Sequence, residues 1–216
     1  MKPKRSSILQ ELNRAIMNGD AQETVRLIEL GLSNRMSSQE IIDSVLIPAS
    51  KRIAEEFRGA DFYIPDVLFA LRPIKTGLAV IKNLSPQVIK HPHKIMCATV
   101  AGDIHDIGKS LVAIFLQVNG YEVIDLGVDV PADEILQAVV EHKPTVIALS
   151  SLLTTTMGEM ANVIEALEKN RLRRPLKVIV GGGPVSDNFA EFIGADGYCP
   201  HAPETVNLVK KLLLES

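Results

Sequence analysis

Tryptophan is missing from this chain of 216 residues, and aromatic side chains make up only 4% of it. A chain so poor in flat rings has little with which to stack on nucleobases. Positive charge is not in excess either. The 23 Lys and Arg face 26 Asp and Glu for a formal net charge of −3, whereas a nucleic-acid binder shows a basic stripe. No uninterrupted apolar run approaches the ~18 residues a membrane span needs. The basic start, Met1-Lys-Pro-Lys-Arg-Ser-Ser7, lacks the apolar stretch of a signal peptide. The two cysteines, Cys97 and Cys199, stand apart and form no Cys-x-x-Cys pair, so two buried thiols in a reducing cytoplasm are expected. Nucleic acid, membrane and secretion are thereby disfavoured. What is present is apolar: 46% of the residues, enough for one large or two modest domains.

The chain has two textures. From Ser6 to Leu84 every periodic segment is helical. Ile8, Leu9, Leu12 and Ile16 repeat at helical spacing before Gly19-Asp20, and Val25, Ile28 and Leu32 repeat in a second helix. Ser38 can cap a third, with Ile41, Ile42, Val45, Ile53 and Phe57 along one stripe and Gly59 as its stop. Pro65 suits the first turn of a fourth helix reaching Asn83, which Pro73 should kink or shorten. Four helices on short connections predict a small bundle over residues 1–90, closed by a polar linker from Ser85 to Pro92. From Lys94 the pattern alternates: strands over 94–100, 122–126, 145–150 and 177–181 with a weak fifth at 196–198, and helices over 108–119, 131–142, 156–170, 186–193 and 203–214. Near-continuous apolar strands between helices predict, over residues 91–216, an α/β doubly wound parallel sheet of flavodoxin-like order, covered on both faces.

The most informative stretch is Ala101-Gly-Asp-Ile-His-Asp-Ile-Gly-Lys-Ser110, between the first strand and its helix, where such folds place ligands. Residues i and i+2 of an extended segment point the same way, so Asp103 and His105 can act on one site. A ligand held by one imidazole with a carboxylate behind it is the resulting expectation, with Gly108 turning tightly beneath a large flat group. Two commoner motifs fail. A P-loop needs glycine where Asp103 stands, and Asp103 and Asp106 would repel phosphate. Gly181-Gly-Gly183 is not in the first βα turn, and Ser186 stands where a dinucleotide fingerprint needs Gly or Ala. Two further loops at the same sheet edge carry unusual residues: the hydroxyl-rich Ser150-Ser-Leu-Leu-Thr-Thr-Thr156, and the triple glycine, which can open a slot beside the sheet. Plainer roles stand beside these. Asp103 or Thr156 can cap a helix, the glycines can form a tight turn, His91-Pro-His93 can be solvated linker, and Arg171-Leu-Arg-Arg174 solvated surface.

Taken together, Asp103-x-His105-x-x-Gly108, then Ser150-Ser151-Leu152, then Gly181-Gly182 resemble, in order and spacing, the cobalamin-binding domain shared by methyltransferases and some mutases. The region before it resembles the four-helix cap of the methyltransferase branch, especially Phe57 and the segment Asp61-Phe-Tyr-Ile-Pro-Asp-Val67. The whole is most similar to the corrinoid proteins of one-carbon methyltransferase systems for methylamines, methanol or methoxylated aromatics, and to the cap plus cobalamin domains of methionine synthase. The resemblance implies a cobalamin or related corrinoid, with His105 as the lower axial ligand of cobalt and Asp103 hydrogen-bonded to its other ring nitrogen. Gly102, Ile104, Asp106 and Gly108 would complete the loop against the cofactor. Thr156 stands where methionine synthase-like relatives carry the hydroxyl that ends this relay. Ser150 and Thr154 would line the pocket of the nucleotide tail, with Gly181 and Gly182 as its floor and Ala202 as a further contact. Leu152 would also contact the cofactor, and Phe57, Ile64 and Val67 would cover the upper face.

The function so implied is that of a methyl carrier, not a catalyst by itself. It would accept a methyl group on cob(I)alamin from a donor-side methyltransferase and deliver it to an acceptor-side methyltransferase that serves a thiol or a folate, with a reductive activase as third partner. Two other corrinoid readings compete. A mutase subunit usually lacks the helical cap. A cobalamin-dependent sensor needs a DNA-binding module that the first 90 residues, spent on the cap, do not provide. An α/β interaction module without cofactor is the fourth reading.

Overall fold

A computed structural model describes residues 4–56, 64–84 and 92–214, with the side chains of Ala54, Ile64 and Pro65 left aside. Two compact units divide the chain, residues 1–90 with 118–120 in one and residues 91–117 with 121–216 in the other. Phe57, Gly59 and most of the expected linker lie outside the described residues, as do the side chain of Ile64 and that of His91.

The first unit is helical: α1 (Arg5–Met17), α2 (Ala21–Ser33), α3 (Ser38–Ile41), α4 (Ile47–Glu56) and α5 (Ile64–Leu84). Ile8, Leu12 and Ile16 of α1 and Leu71, Ile74, Leu78 and Ile81 of α5 recur at helical spacing and are all buried. Asp20 caps α2 by accepting from the Glu23 amide at 2.9 Å. Two expectations need correction. Ser37, not Ser38, caps α3, its Oγ accepting from the Glu40 amide at 3.0 Å. The third helix is also not one regular helix, because a π turn over Ile42–Leu46 separates α3 from α4. Pro48 is the second residue of α4. Its ring would meet the carbonyl four residues back in an α-helix, and the wider turn relieves that clash. Pro73, by contrast, does not end α5, which runs 21 residues through it. The buried stripe from Leu71 to Ile81 offsets the missing N–H.

The second unit is a five-stranded parallel sheet, β1 (Lys94–Thr99), β2 (Glu122–Asp125), β3 (Val146–Ser150), β4 (Lys177–Gly181) and β5 (Gly197–Cys199), in the order β2-β1-β3-β4-β5. Helices α6 (Ile107–Val118), α7 (Ala132–His142), α8 (Gly158–Lys169), α9 (Asp187–Phe192) and α10 (Thr205–Leu214) connect and follow the strands. The central strands β1, β3 and β4 are buried almost throughout, whereas the edge strands β2 and β5 contain no buried residue. That contrast explains why the fifth strand is weak in the sequence. The chain winds one way from β1 to β2 and the other way from β3 onward, so the order reverses between β1 and β3, where such sheets bind ligands. Register then sets the site: Thr99 pairs with Ser150, Ser150 with Gly181, and Gly181 with Cys199. The loops that leave these residues start side by side.

Candidate functional site

Asp103 is the centre of the site. It is fully buried, one residue after Gly102, whose φ of +77° turns the chain out of the sheet in a region that suits glycine. Its Oδ1 accepts from the His105 amide at 3.0 Å and lies 2.7 Å from His105 Nδ1. Its Oδ2 accepts from the Leu152 amide at 2.6 Å, from Thr156 Oγ1 at 3.2 Å and from Ser151 Oγ at 3.3 Å. Burial by itself would raise the carboxyl pKa. The donors from the His105 and Leu152 backbone, the imidazole and Thr156 outweigh it and hold Asp103 well below the usual carboxylate range. An ionised carboxylate on Nδ1 selects the tautomer with a proton there, which leaves the Nε2 lone pair for a ligand. The His105 side chain is 46% exposed.

Asp103 is thus no helix cap, since its acceptors serve the His105 loop and the loop after β3. Thr156 does not cap α8 through its side chain either; its hydroxyl lies against Asp103, Ser151 and the Leu153 carbonyl. Sequence reasoning missed two members of this network, Ser151 and the Leu152 backbone N–H. Ser150 and Ser151 are adjacent, and successive residues leave a strand on opposite sides, so only the placement of β3 beside β1 shows which of them faces Asp103. Asp129 was also missed. Its Oδ1 accepts from the Gly102 amide at 2.6 Å and its amide donates to the Asp103 carbonyl, which ties the loop after β2 to the site.

Lys109, which mimics the lysine of a P-loop, is buried and bound at 2.5 and 2.7 Å to the two carboxylate oxygens of Asp125 and at 2.8 Å to Asp106. It anchors α6 to the end of β2 and is not available to phosphate. Burial opposes its charge, but the two carboxylates prevail and raise its pKa. Arg173 is likewise structural and not free surface: it pairs with Asp196 at 2.7 Å and donates to the carbonyls of Leu176 and Gly194. Cys97 is buried as expected, with desolvation and then Asp125 pushing its thiol up to about 12, while Cys199 is only half-buried.

The glycines behave differently from one another. Gly182 has φ +125°, and a Cβ there would stand 1.8 Å from the Ser151 carbonyl oxygen, so the loop after β4 passes against the loop after β3. Gly181 would meet the Cys199 carbonyl at 2.7 Å. Gly108 does not make the expected tight turn. It lies in the first turn of α6 without a positive φ, and a Cβ there would meet nothing within 4 Å. Ser150 is half-buried at the end of β3, Thr154 is exposed, Ala202 begins a 3-10 turn after β5, and Val67 of α5 is buried. Cobalamin presents a broad, largely apolar ring around a metal that takes an axial nitrogen. On the loops after β1 and β3 Ile104 is 74% and Leu152 49% exposed, and Ile107 at the start of α6 is 40% exposed, so apolar side chains stand uncovered beside a bare Gly108 and an imidazole of fixed tautomer. Solvent-facing apolar residues concentrated about one polar donor are what such a ring requires, and the residues fit it.

Comparison with known proteins gives the same assignment. Two family models, each described as a B12 binding domain, match residues 93–209 and residues 8–82. A corrinoid protein of Desulfitobacterium hafniense is 35% identical over 214 residues, spanning 96% of this chain and 98% of that protein. Trimethylamine corrinoid protein 1 of Methanosarcina acetivorans is 33% identical over 97% of this chain and 99% of its own length. In the crystal structure of the methanol:cobalamin methyltransferase complex MtaBC from Methanosarcina barkeri, one chain matches with a TM-score of 0.82 at 27% identity, over 99% of this chain and 82% of that one. The two-part architecture, the buried carboxylate behind an exposed imidazole and these likenesses agree: the chain belongs to the B12-binding domain family and is a corrinoid-binding protein.

Proposed function

We propose that this protein is a methyl carrier of a corrinoid-dependent methyltransferase system, with residues 91–216 holding the corrinoid and residues 1–90 forming its cap. The observation that carries the reading is the 2.7 Å contact between the buried Asp103 carboxylate and Nδ1 of the exposed His105. When bound, the corrinoid cobalt supplies the nucleophile that takes up the methyl group. The chain supplies the rest. His105 Nε2 would hold the cobalt, and Asp103, on Nδ1, fixes the tautomer and the orientation of the ring. Thr156 ends the relay through Asp103 Oδ2. The apolar side chains of Ile104 and Leu152, with Gly102, Asp106 and Gly108, would meet the ring and keep water from it. Ser150, Thr154, Gly181, Gly182 and Ala202 receive the nucleotide tail, an arrangement supported by the adjacent ends of β3, β4 and β5. Phe57, Ile64 and Val67 are the cap residues that would serve the upper face; of their side chains only that of Val67 lies among the described residues.

The trimethylamine and methanol systems named for the relatives support a donor-side methyltransferase for small methylated amines or alcohols as first partner. A thiol- or folate-directed methyltransferase and a reductive activase complete the cycle, in the cytoplasm. Among the described residues no helix is long and apolar enough to cross a membrane. The mutase and sensor readings gain nothing comparable: a B12 binding domain model also matches the helical residues 8–82, and the corrinoid relative of Desulfitobacterium hafniense aligns over 98% of its own length. The test is partner-dependent methylation. The chain, loaded with hydroxocobalamin and reduced, is mixed with donor-side methyltransferases of the methylamine and methanol classes and their substrates. Methylation by one of them, faster than that of free cobalamin at equal concentration, is expected. Rates equal to those of free cobalamin with every donor enzyme would overturn the carrier reading.

A further inference from the structure

Resting on His105 as the cobalt ligand, we propose that Ser151 is a positioning residue of the relay: with Thr156 it forms a pair of rotating hydroxyls that sets how many hydrogen bonds Asp103 receives. Ser151 is fully buried. Its Oγ lies 2.9 Å from Thr156 Oγ1, 3.2 Å from the Leu153 carbonyl and 3.3 Å from Asp103 Oδ2. Thr156 Oγ1 has the same choice, 3.2 Å from Asp103 Oδ2 and 3.2 Å from the Leu153 carbonyl. Each hydroxyl carries one proton and rotates freely about its C–O bond. Two protons therefore have two outside acceptors, the carboxylate and the Leu153 carbonyl, and can also be shared between the hydroxyls. Rotation alone changes the number of hydroxyl bonds to Oδ2 from none to two, with no heavy atom moved.

The carboxylate needs a different number in different states. While His105 donates Nδ1–H to Oδ1, part of the Asp103 charge is satisfied, and the hydroxyls can turn to Leu153. When the imidazole swings away, Asp103 stays buried with a full charge, and two hydroxyls can turn toward it. The pair thus stabilises the state in which the histidine is off, where one hydroxyl would offer half as much. The Leu152 amide cannot share this task, since a backbone N–H does not rotate. Removing Ser151 should leave a carboxylate that holds the imidazole more tightly and so strengthen its hold on cobalt.

The experiment uses the full chain loaded with hydroxocobalamin and reads the Co(II)/Co(I) couple by spectroelectrochemistry, with electron paramagnetic resonance of the Co(II) form. A nitrogen ligand favours Co(II) over Co(I), so tighter ligation lowers the potential. For Ser151→Ala we expect ligation strengthened ~three- to tenfold, since a hydrogen bond to a charged group is lost and the second hydroxyl compensates in part. At ~59 mV per tenfold for one electron this is a fall of about 30–60 mV. Thr156→Ser, which keeps the hydroxyl, should leave the potential in place, and the double variant Ser151→Ala/Thr156→Ala should fall further than either single alanine variant. A change under twofold, a rise in potential, or a lower melting temperature with the potential unmoved would overturn the proposal. His105→Ala separates the two levels of inference. Loss of the nitrogen splitting in that variant upholds the ligand assignment whatever Ser151 does, whereas a splitting that survives overturns the assignment and this proposal with it.

Discussion

At the scale of single residues the site is a problem of keeping one buried charge. Asp103 is ionised inside the protein because backbone, imidazole and hydroxyl donors converge on it, and burying it without them would cost several kcal/mol. Its lowered pKa makes a stability prediction with a definite sign. A carboxyl depressed in the folded state contributes stability that is fully present above its unfolded value, ~3.9, and is lost as the pH falls toward the folded value. Asp103→Asn lacks this contribution and turns an NH2 toward the Leu152 amide or the imidazole. It should be less stable than the parent by about 1–3 kcal/mol at pH 7, and the gap should narrow below about pH 4. Urea unfolding at the two pH values measures both. In the loaded protein the same variant should keep His105 ligation but change its dependence on pH. Asp103 and His105 were legible in the sequence because both lie in one short loop at i and i+2. Ser151 and the Leu152 amide were not, because they reach Asp103 from 48 and 49 residues away.

At the scale of elements, the glycines separate demands of the fold from demands of the cofactor. Gly182 serves the fold, with a positive φ and no room for a Cβ against the Ser151 carbonyl. Gly182→Ala should cost more than ~3 kcal/mol and weaken corrinoid loading, because it displaces the loop whose amide and hydroxyls hold Asp103. Gly108 is helical and faces open space. Gly108→Ala should therefore stabilise the cofactor-free protein by about 0.5–1 kcal/mol, as alanine does in a helix. It should nonetheless weaken corrinoid binding if the bare surface faces the ring. Thermal unfolding and corrinoid titration of both variants would give opposite stability changes with the same direction in binding. Periodicity located α6 and the end of β4 correctly, yet it could not tell these glycines apart. Only the approach of a second loop makes one of them indispensable.

At the scale of the molecule, function depends on strand order. With β1 and β3 adjacent at the centre of the sheet, Thr99, Ser150 and Gly181 form a row, and three loops far apart in sequence share one edge. Binding across several loops ties cofactor affinity to the integrity of the whole α/β unit. Hydroxocobalamin at a hundred times its Kd should stabilise the protein by about 2.7 kcal/mol, seen as a higher melting temperature by circular dichroism. His105→Ala should reduce that gain, and should also lower the melting temperature of the cofactor-free protein modestly, because the exposed ring is one of the donors to the buried Asp103 Oδ1.

The sequence by itself determined the helical and strand textures, the switch between them near Lys94, and the Asp103–His105 pair, since periodicity and i, i+2 spacing are local properties of a chain. The same local signals misplaced the cap of α3, passed over the π turn before Pro48 and assigned Gly108 a turn it does not make. Tertiary structure alone decided that Ser151 and not Ser150 faces Asp103, that Lys109 closes an ion pair with Asp125 instead of waiting for phosphate, and that Asp129 braces Gly102. The physical reason is that a hydrogen bond depends on which strands are neighbours and on shifts of a few tenths of an ångström between loops, and neither is written in the spacing of residues along one of them.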